Sequence, residues 1–169
     1  MSPIDGVAPE VMARAAQVRA LVLDVDGILT DGRLLYSNSG EETKAFNIQD
    51  GLGMKLAQAG GIALAIITSR RSPALERRAT DLGVRHVWIG VERKLDAFDE
   101  LTAALGIAPG QCAAMGDDLP DLPVLRRCGF SATVPEAPAI LRQHVLHVTR
   151  RGGGAGAVRE VCELLLASQ

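Results

Sequence analysis

The stretch Ala20-Leu21-Val22-Leu23-Asp24-Val25-Asp26-Gly27-Ile28-Leu29-Thr30-Asp31 decides how the chain folds. Four apolar residues in a row break into charge at Asp24, the pattern of a central strand covered on both faces that ends where carboxylates begin. Comparable runs recur at Ile62–Thr68, His86–Ile89, Cys112–Met115 and Ser131–Val134. Amphipathic stretches surround them at Pro9–Val18, Gly51–Ala59, Pro73–Leu82, Lys94–Leu105, Leu119–Arg127 and Pro138–Arg142. Most of these stop at a glycine, as at Gly60, Gly83, Gly106 and Gly129, the residue that closes helices most readily. Strand alternating with helix predicts an α/β, Rossmann-like fold. Its mostly parallel sheet has helices on both faces and gathers the functional loops at the carboxyl ends of the strands.

One segment interrupts the alternation. Arg33-Leu34-Leu35-Tyr36-Ser37 and Glu41 to Asn47 flank Asn38-Ser39-Gly40, so a protruding β-hairpin is expected over about 33–47. Only short connections otherwise follow Asp24 and Thr68, which leaves no length for a separate cap domain, and one domain is expected over 1–169. Gly152-Gly153-Gly154-Ala155-Gly156 precedes a closing helix and reads as a flexible joint, making the end of the chain from about 152 a glycine-rich tail.

Composition narrows the classes of function. A chain of 169 residues, 47% hydrophobic, can bury roughly 70% of its unfolded surface and needs no disulfide or structural metal for its core. Eighteen Lys and Arg against 20 Asp and Glu, with one Trp, one Tyr and three Phe, argue against a nucleic-acid groove. The longest strongly apolar run, Ile62 to Thr68, falls far short of the roughly 20 residues of a membrane helix. Asp5, Glu10 and Arg14 interrupt the N-terminal segment where a secretory leader would be apolar, so a cytoplasmic location is expected. Cys112, Cys128 and Cys162 lie in apolar patterns as reduced thiols.

The chemistry concentrates at two strand ends. Asp24, Asp26, Thr30 and Asp31 follow the first strand, and Met115-Gly116-Asp117-Asp118-Leu119-Pro120-Asp121 follows another. Carboxylates gathered there cost desolvation unless a hard divalent cation neutralises them. Thr68 ends a third strand and Lys94 opens a helix just after a fourth. An aspartate nucleophile, a second Asp two residues on, a hydroxyl, a lysine and a metal-binding acidic pair suit phosphoryl transfer through an aspartyl-phosphate.

Asp24-x-Asp26-Gly27-x-x-Thr30-Asp31, Thr68, Lys94 and Gly116-Asp117-Asp118-x-x-Asp121, in that order, resemble the haloacid dehalogenase superfamily of phosphatases. Finer features from Ala20 to Gln169 resemble its capless branch that acts on eight-carbon 3-deoxy sugar acid phosphates in lipopolysaccharide precursor synthesis. They are Phe46-Asn47-Ile48-Gln49-Asp50-Gly51-Leu52-Gly53, Thr68-Ser69-Arg70, Asp121-Leu122-Pro123 and the tail Gly156-Ala157-Val158-Arg159-Glu160-Val161-Cys162. The resemblance implies Asp24 as nucleophile, Asp26 as acid and base, and Thr68 and Lys94 on the phosphoryl group. Mg2+ would be held by Asp24, Asp117 and the main-chain carbonyl of Asp26, with Asp118 and Asp121 in support. It further implies substrate contacts at Asp26, Asn47, Ile48, Gln49, Asp50, Gly51, Lys55, Arg70, Arg78 and Lys94. It also implies a homotetramer in which one subunit's hairpin, and in some arrangements its tail, covers a neighbour's site. Ser69 stands where the family usually has Gly, and Val134-Pro135-Glu136-Ala137-Pro138 replaces Val-Ala-Asp-Ala-His.

Three other readings compete. A phosphatase for a nonulosonate 9-phosphate would share the head group. A phospho-acceptor switch domain shares the clustered acids but lacks a second Asp in the position of Asp26. A silent interaction module would need none of these motifs. His86, His144 and His147 share no ligand spacing, Trp88 is expected in the core, and Gly152–Gly156 lacks the Lys-Ser/Thr of a nucleotide phosphate loop.

Overall fold

The computed structural model describes residues 6–169, so Asp5 lies outside it. In chain order the elements are α1 (Pro9–Ala15), β1 (Ala20–Leu23), β2 (Leu35–Tyr36), β3 (Glu42–Thr43), α2 (Ile48–Ala59), β4 (Ala63–Thr68), α3 (Pro73–Leu82) and β5 (His86–Ile89). They continue with α4 (Lys94–Leu105), β6 (Cys112–Met115), α5 (Leu122–Arg127), β7 (Phe130–Thr133), α6 (Ala139–Arg142), β8 (His147–Val148) and α7 (Ala157–Ala167). Six strands form one sheet in the order β5-β4-β1-β6-β7-β8, and every pairing in it is parallel. Both α2 and α4 press on β4, while α7 lies along α2. Leu21, Leu23, Ile66, Phe98 and Phe130 are essentially sealed from solvent, each contributing about 1.5–3 kcal/mol of burial.

The chain leaves β1 to build β4 and β5 on one side and then returns to build β6, β7 and β8 on the other. Strand order therefore reverses at β1, and the crevice beyond the carboxyl ends at such a reversal is where α/β sheets place ligands. Leu23 pairs with Ile66 on one side and Met115 on the other. Asp24, Thr68 and the Gly116–Asp121 loop therefore emerge side by side.

Several expectations shift. The hairpin forms around its predicted turn but carries only two ladder residues per strand. Asn47 caps α2, its Oδ1 accepting the Gln49 N–H at 2.7 Å, so that helix starts before the expected Gly51. Pro120 and Pro123 divide the stretch Leu119–Arg127 into a 3₁₀ turn, Leu119–Asp121, and α5. Strand β8, two residues long, had no periodic signal. Trp88 is half-buried on the edge strand β5, its indole N–H donating to Glu100 at 3.0 Å.

The largest correction concerns the glycine tract, which is no flexible joint. A Cβ at Gly153 would lie 1.9 Å from the Gly27 carbonyl oxygen, and the Gly154 N–H donates to Ile28 O at 2.9 Å. Gly154 has φ +65° and Gly156 φ +106°, conformations that glycine adopts at little cost. Glycine is needed here for close approach: the tract is wedged against the loop that follows β1.

Candidate active site

Asp24 is the first residue beyond β1, and its N–H still donates to Met115 O at 3.0 Å. The strand therefore carries a carboxylate only 7% exposed to the crevice. Lys94, the first residue of α4, reaches across with Nζ 2.6 Å from Asp24 Oδ1 and 2.6 Å from Asp121 Oδ1. The other Asp121 oxygen accepts the N–H groups of Asp117 at 3.1 Å and Asp118 at 3.3 Å, which folds the loop after β6. Two glycines make room for this crowding. A Cβ at Gly116 would lie 2.3 Å from that of Asp121, and one at Gly27, where φ is +87°, would lie 2.0 Å from Asp117 Oδ2.

Asp24, Asp117 and Asp121 each bring a carboxylate oxygen within 4.8 Å of the others. One ammonium faces three acids. Burial foremost, and then the charge of Asp121, push Asp24 up to about 7 in spite of Lys94. Burial, with Asp121 and Asp118, pushes Asp117 up to about 6. Burial also works against the charge on Lys94, yet Asp24 and Asp121 hold its pKa above the ordinary lysine value. The donor set is all hard oxygen and short of positive charge, which fits a divalent cation such as magnesium. Asp121 is already bonded to Lys94 and two N–H groups, so Asp24 and Asp117 retain the capacity to ligate. Thr68, the last residue of β4, is buried with its hydroxyl accepting the Arg70 N–H at 3.3 Å.

The Asp26 carboxylate belongs to a different neighbourhood. It accepts a hydrogen bond from Lys44 and lies 3.4 Å from Arg70 Nε, and both cations also contact Glu42. Lys44 and Glu42 were not expected at the site. Their spacing of two residues, which puts both on one face of an extended ribbon, is the signal that could have found them. The inner face of the hairpin thus engages Asp26 of its own chain, whereas the resemblance directs the hairpin to a neighbour.

The expected substrate residues of 47–51 divide. Asn47 donates from Nδ2 to Gly154 O at 3.1 Å, and Gln49 Oε1 accepts from Arg151 at 2.9 Å. Ile48 is 82% exposed. Asp50 is a correction: it is sealed in the interior, its Oδ1 accepting the Arg159 N–H at 2.8 Å, so it caps the start of α7 and does not face the crevice. Burial raises its pKa against the N–H groups of Arg159, Gly156 and Val158. Gly51 is likewise buried, and a Cβ there would lie 2.3 Å from Arg78 Nη2. Arg78 uses that space to reach the Asn47 carbonyl at 3.2 Å, with its guanidinium 5.9 Å from the centre of the Phe46 ring. Lys55 is exposed, about 10 Å along α2 from Ile48, and makes no ion pair among the described residues. No described helix is long and apolar enough to cross a membrane. Burial pushes the Cys112 thiol up to about 11 and Cys162 to about 12, as for unreactive packed thiols.

Comparison with known proteins agrees with this arrangement. A family model described as haloacid dehalogenase-like hydrolase matches residues 90–158. The 3-deoxy-D-manno-octulosonate 8-phosphate phosphatase of Escherichia coli K12 is 47% identical over 163 residues, 96% of this chain and 87% of that protein. The crystal structure of the Yersinia pestis phosphatase of the same name superposes with a TM-score of 0.95 at 47% identity, covering 96% of this chain and 88% of that one. That of Moraxella catarrhalis, in complex with magnesium, phosphate and the sugar acid KDO, superposes with a TM-score of 0.93 at 47% identity, covering 95% and 92%. At 47% identity over 96% of its length, with Asp24, Asp117, Asp121 and Lys94 gathered at the end of β1, the chain belongs to the 3-deoxy-D-manno-octulosonate 8-phosphate phosphatase family of haloacid dehalogenase-like hydrolases.

Proposed function

We propose that the chain is a cytoplasmic, magnesium-dependent phosphatase that hydrolyses 3-deoxy-D-manno-octulosonate 8-phosphate to the free sugar acid and phosphate, a step in lipopolysaccharide precursor synthesis. The observation that carries this reading is the pairing of Asp24 with Lys94 at the carboxyl end of β1, with the Asp117 carboxylate beside it. An Asp24 oxygen attacks phosphorus, the bond from phosphorus to the sugar oxygen breaks, and an aspartyl-phosphate forms. Lys94 and the Thr68 hydroxyl hold the phosphoryl oxygens while charge moves among them. Asp26 gives a carboxyl proton to the departing sugar oxygen and then takes one from the water that opens the aspartyl-phosphate. Asp24, Asp117 and the Asp26 main-chain carbonyl would hold magnesium, which supplies the neutralisation that lets one anion approach another. Asp121 acts by positioning Lys94 and the Asp117 loop.

Arg70, 41% of whose side chain is exposed, suits a carboxylate on the sugar through its planar fork. Arg78 and Asn47 act by shaping the loop ahead of α2. Ile48, Leu52 and Leu56 recur every fourth residue on the exposed side of α2 and, with Leu34, Leu35 and Tyr36 of the hairpin, give an apolar surface suited to a homotetramer. In that assembly Ile48, Gln49 and Lys55 serve a neighbour's site. A phosphate-release panel tests the reading with eight-carbon and nine-carbon acidic sugar phosphates and simple phosphomonoesters. We expect the eight-carbon acid to lead by about tenfold or more in kcat/KM, with a tetramer by light scattering. A lead for the nine-carbon acid would replace the substrate, and absence of magnesium-dependent release would overturn the activity.

A further inference from the structure

A carboxylate from α7 holds the turn that precedes that helix. Glu160 accepts the Arg150 N–H at 3.0 Å and 3.2 Å and the Arg151 N–H at 3.1 Å, so both of its oxygens are spent on backbone. Its side chain is only 10% exposed. The two basic side chains near it stand off, His147 Nε2 at 3.7 Å and Arg150 Nε at 3.9 Å. The Thr149 hydroxyl ties the same turn from within, donating to the Arg151 carbonyl at 2.7 Å. N–H groups bonded to a carboxylate are held roughly twice as strongly as those bonded to a neutral oxygen.

The glycine tract begins at the next residue and leans on the loop after β1. Gly153 packs on the Gly27 carbonyl, the Gly154 N–H donates to Ile28 O at 2.9 Å, and Gly154 O accepts from Asn47 Nδ2 at 3.1 Å. Gly27 also faces the acid cluster, since a Cβ there would lie 2.0 Å from Asp117 Oδ2. Gly27 is thus in contact with the tract and with Asp117 at once. Where backbone meets backbone there is no side chain to give way, so a displaced tract displaces Gly27, and with it the Asp26 carbonyl one peptide earlier. Beyond the tract, Asp50 accepts the Arg159 N–H at 2.8 Å. Carboxylates therefore pin the tract on both sides, Glu160 before it and Asp50 after it.

We infer that Glu160 is a positioning residue for the metal: by holding the Arg150-Arg151 turn it keeps the glycine tract on Gly27, and so fixes the Asp26-Gly27 backbone against Asp117. The inference deepens the reading of Asp24, Asp117 and the Asp26 carbonyl as magnesium ligands and rests on it. Glu160 contacts none of these three residues and acts through the backbone alone. Without its carboxylate the Arg150 and Arg151 N–H groups turn to water, the tract relaxes away from Gly27, and binding a cation must restore the contact. Groups that orient metal ligands from behind are typically worth about 10- to 100-fold in metal affinity. An acid in the first turn of a helix also favours the helix through its charge. That role by itself bears on folding and leaves the cation untouched.

The test titrates magnesium alone into the metal-free, full-length protein without substrate and reads the dissociation constant by calorimetry. Glu160→Ala should weaken magnesium about tenfold, and Glu160→Gln, which keeps one carbonyl oxygen for the turn, by about threefold. Glu163→Ala removes an acid from the same helix that pairs with Arg159 and does not touch the turn, and its constant should match the parent's. Gly153→Ala crowds the Gly27 carbonyl without altering Glu160 and should weaken magnesium about tenfold or more. If Glu160→Ala fails to fold, Glu160→Gln and Gly153→Ala decide. Parental constants in the Glu160 variants, even with a lowered Tm, would reduce Glu160 to a helix-stabilising acid and overturn the inference. An equal loss in Glu163→Ala, or a parental constant in Gly153→Ala, would overturn it as well. A parent that binds no magnesium would instead overturn the metal reading, and the inference with it.

Discussion

The cluster at the end of β1 sets Asp24, Asp117 and Asp121 against the single ammonium of Lys94, whereas the ring at the hairpin sets Asp26 and Glu42 against Lys44 and Arg70. Their nearest members, Asp24 and Asp26, lie two residues apart in sequence, and the two groups behave in opposite ways. In the first, burial and mutual repulsion push Asp24 up to about 7. In the second, partial burial works against the charge of Glu42, yet Lys44 and Arg70 hold its pKa below the ordinary glutamate value. An acid-rich cluster sealed behind a central strand is completed by a cation from outside. A balanced ring, in which two cations meet two carboxylates, needs no added charge. One strand end thus borders both an acid-rich cluster and a charge-balanced ring.

The comparison is broken most severely at Asp24. Asp24→Asn removes the attacking oxygen and should abolish turnover, by on the order of 10⁴-fold or more in kcat, while the fold persists because an amide relieves repulsion in the cluster. Beryllium fluoride should bind the parent at Asp24 and not this variant, and near-normal turnover by Asp24→Asn would exclude the covalent route.

A smaller effect isolates the cation. Asp117→Ala removes one of the two carboxylates with unused capacity, and should raise the magnesium concentration needed for half-maximal rate by about 100-fold. A magnesium titration of phosphate release measures it, and an unchanged midpoint would place the metal elsewhere.

The smallest effect reads the imbalance itself. Burial and the neighbouring acids push Asp24 up to about 7 and Asp117 up to about 6, well above the usual carboxylate range. The metal-free protein therefore takes up protons on folding and loses stability as pH rises from about 4 to about 7. Between about pH 5 and about pH 7.5 the metal-free Tm should fall by on the order of 5 °C, and saturating magnesium should abolish the fall. A metal-free Tm that holds steady over this range would mean that Lys94 alone balances the cluster.

Much of the framework was legible along the chain because its signals are local. β1, β5 and β6 stand where the apolar runs put them, β4 and β7 differ by one residue at their ends, and the hairpin turn is at Asn38-Ser39-Gly40. The acids and Lys94 could be grouped because consecutive parallel strands deliver their last residues to one edge. What misled was chemistry read from residue type alone. Asp50 looks like a ligand in Asn47-Ile48-Gln49-Asp50-Gly51, but its carboxylate is sealed against the first turn of α7. Gly152–Gly156 looks flexible, and its Gly153 and Gly154 pack closely against the loop after β1.

The sequence by itself determined the parallel sheet, the nucleophile at the end of its first strand and the acid-rich second strand end. Periodicity and strand termini depend on neighbours a few residues away. Only the tertiary structure decided that Lys44 reaches Asp26, that Arg70 reaches Glu42, that Asp50 caps α7, and that Gly153 lies against Gly27. Those contacts join segments from 18 to over 100 residues apart. Whether a charge meets solvent, a helix end or an opposite charge depends on what the fold brings against it.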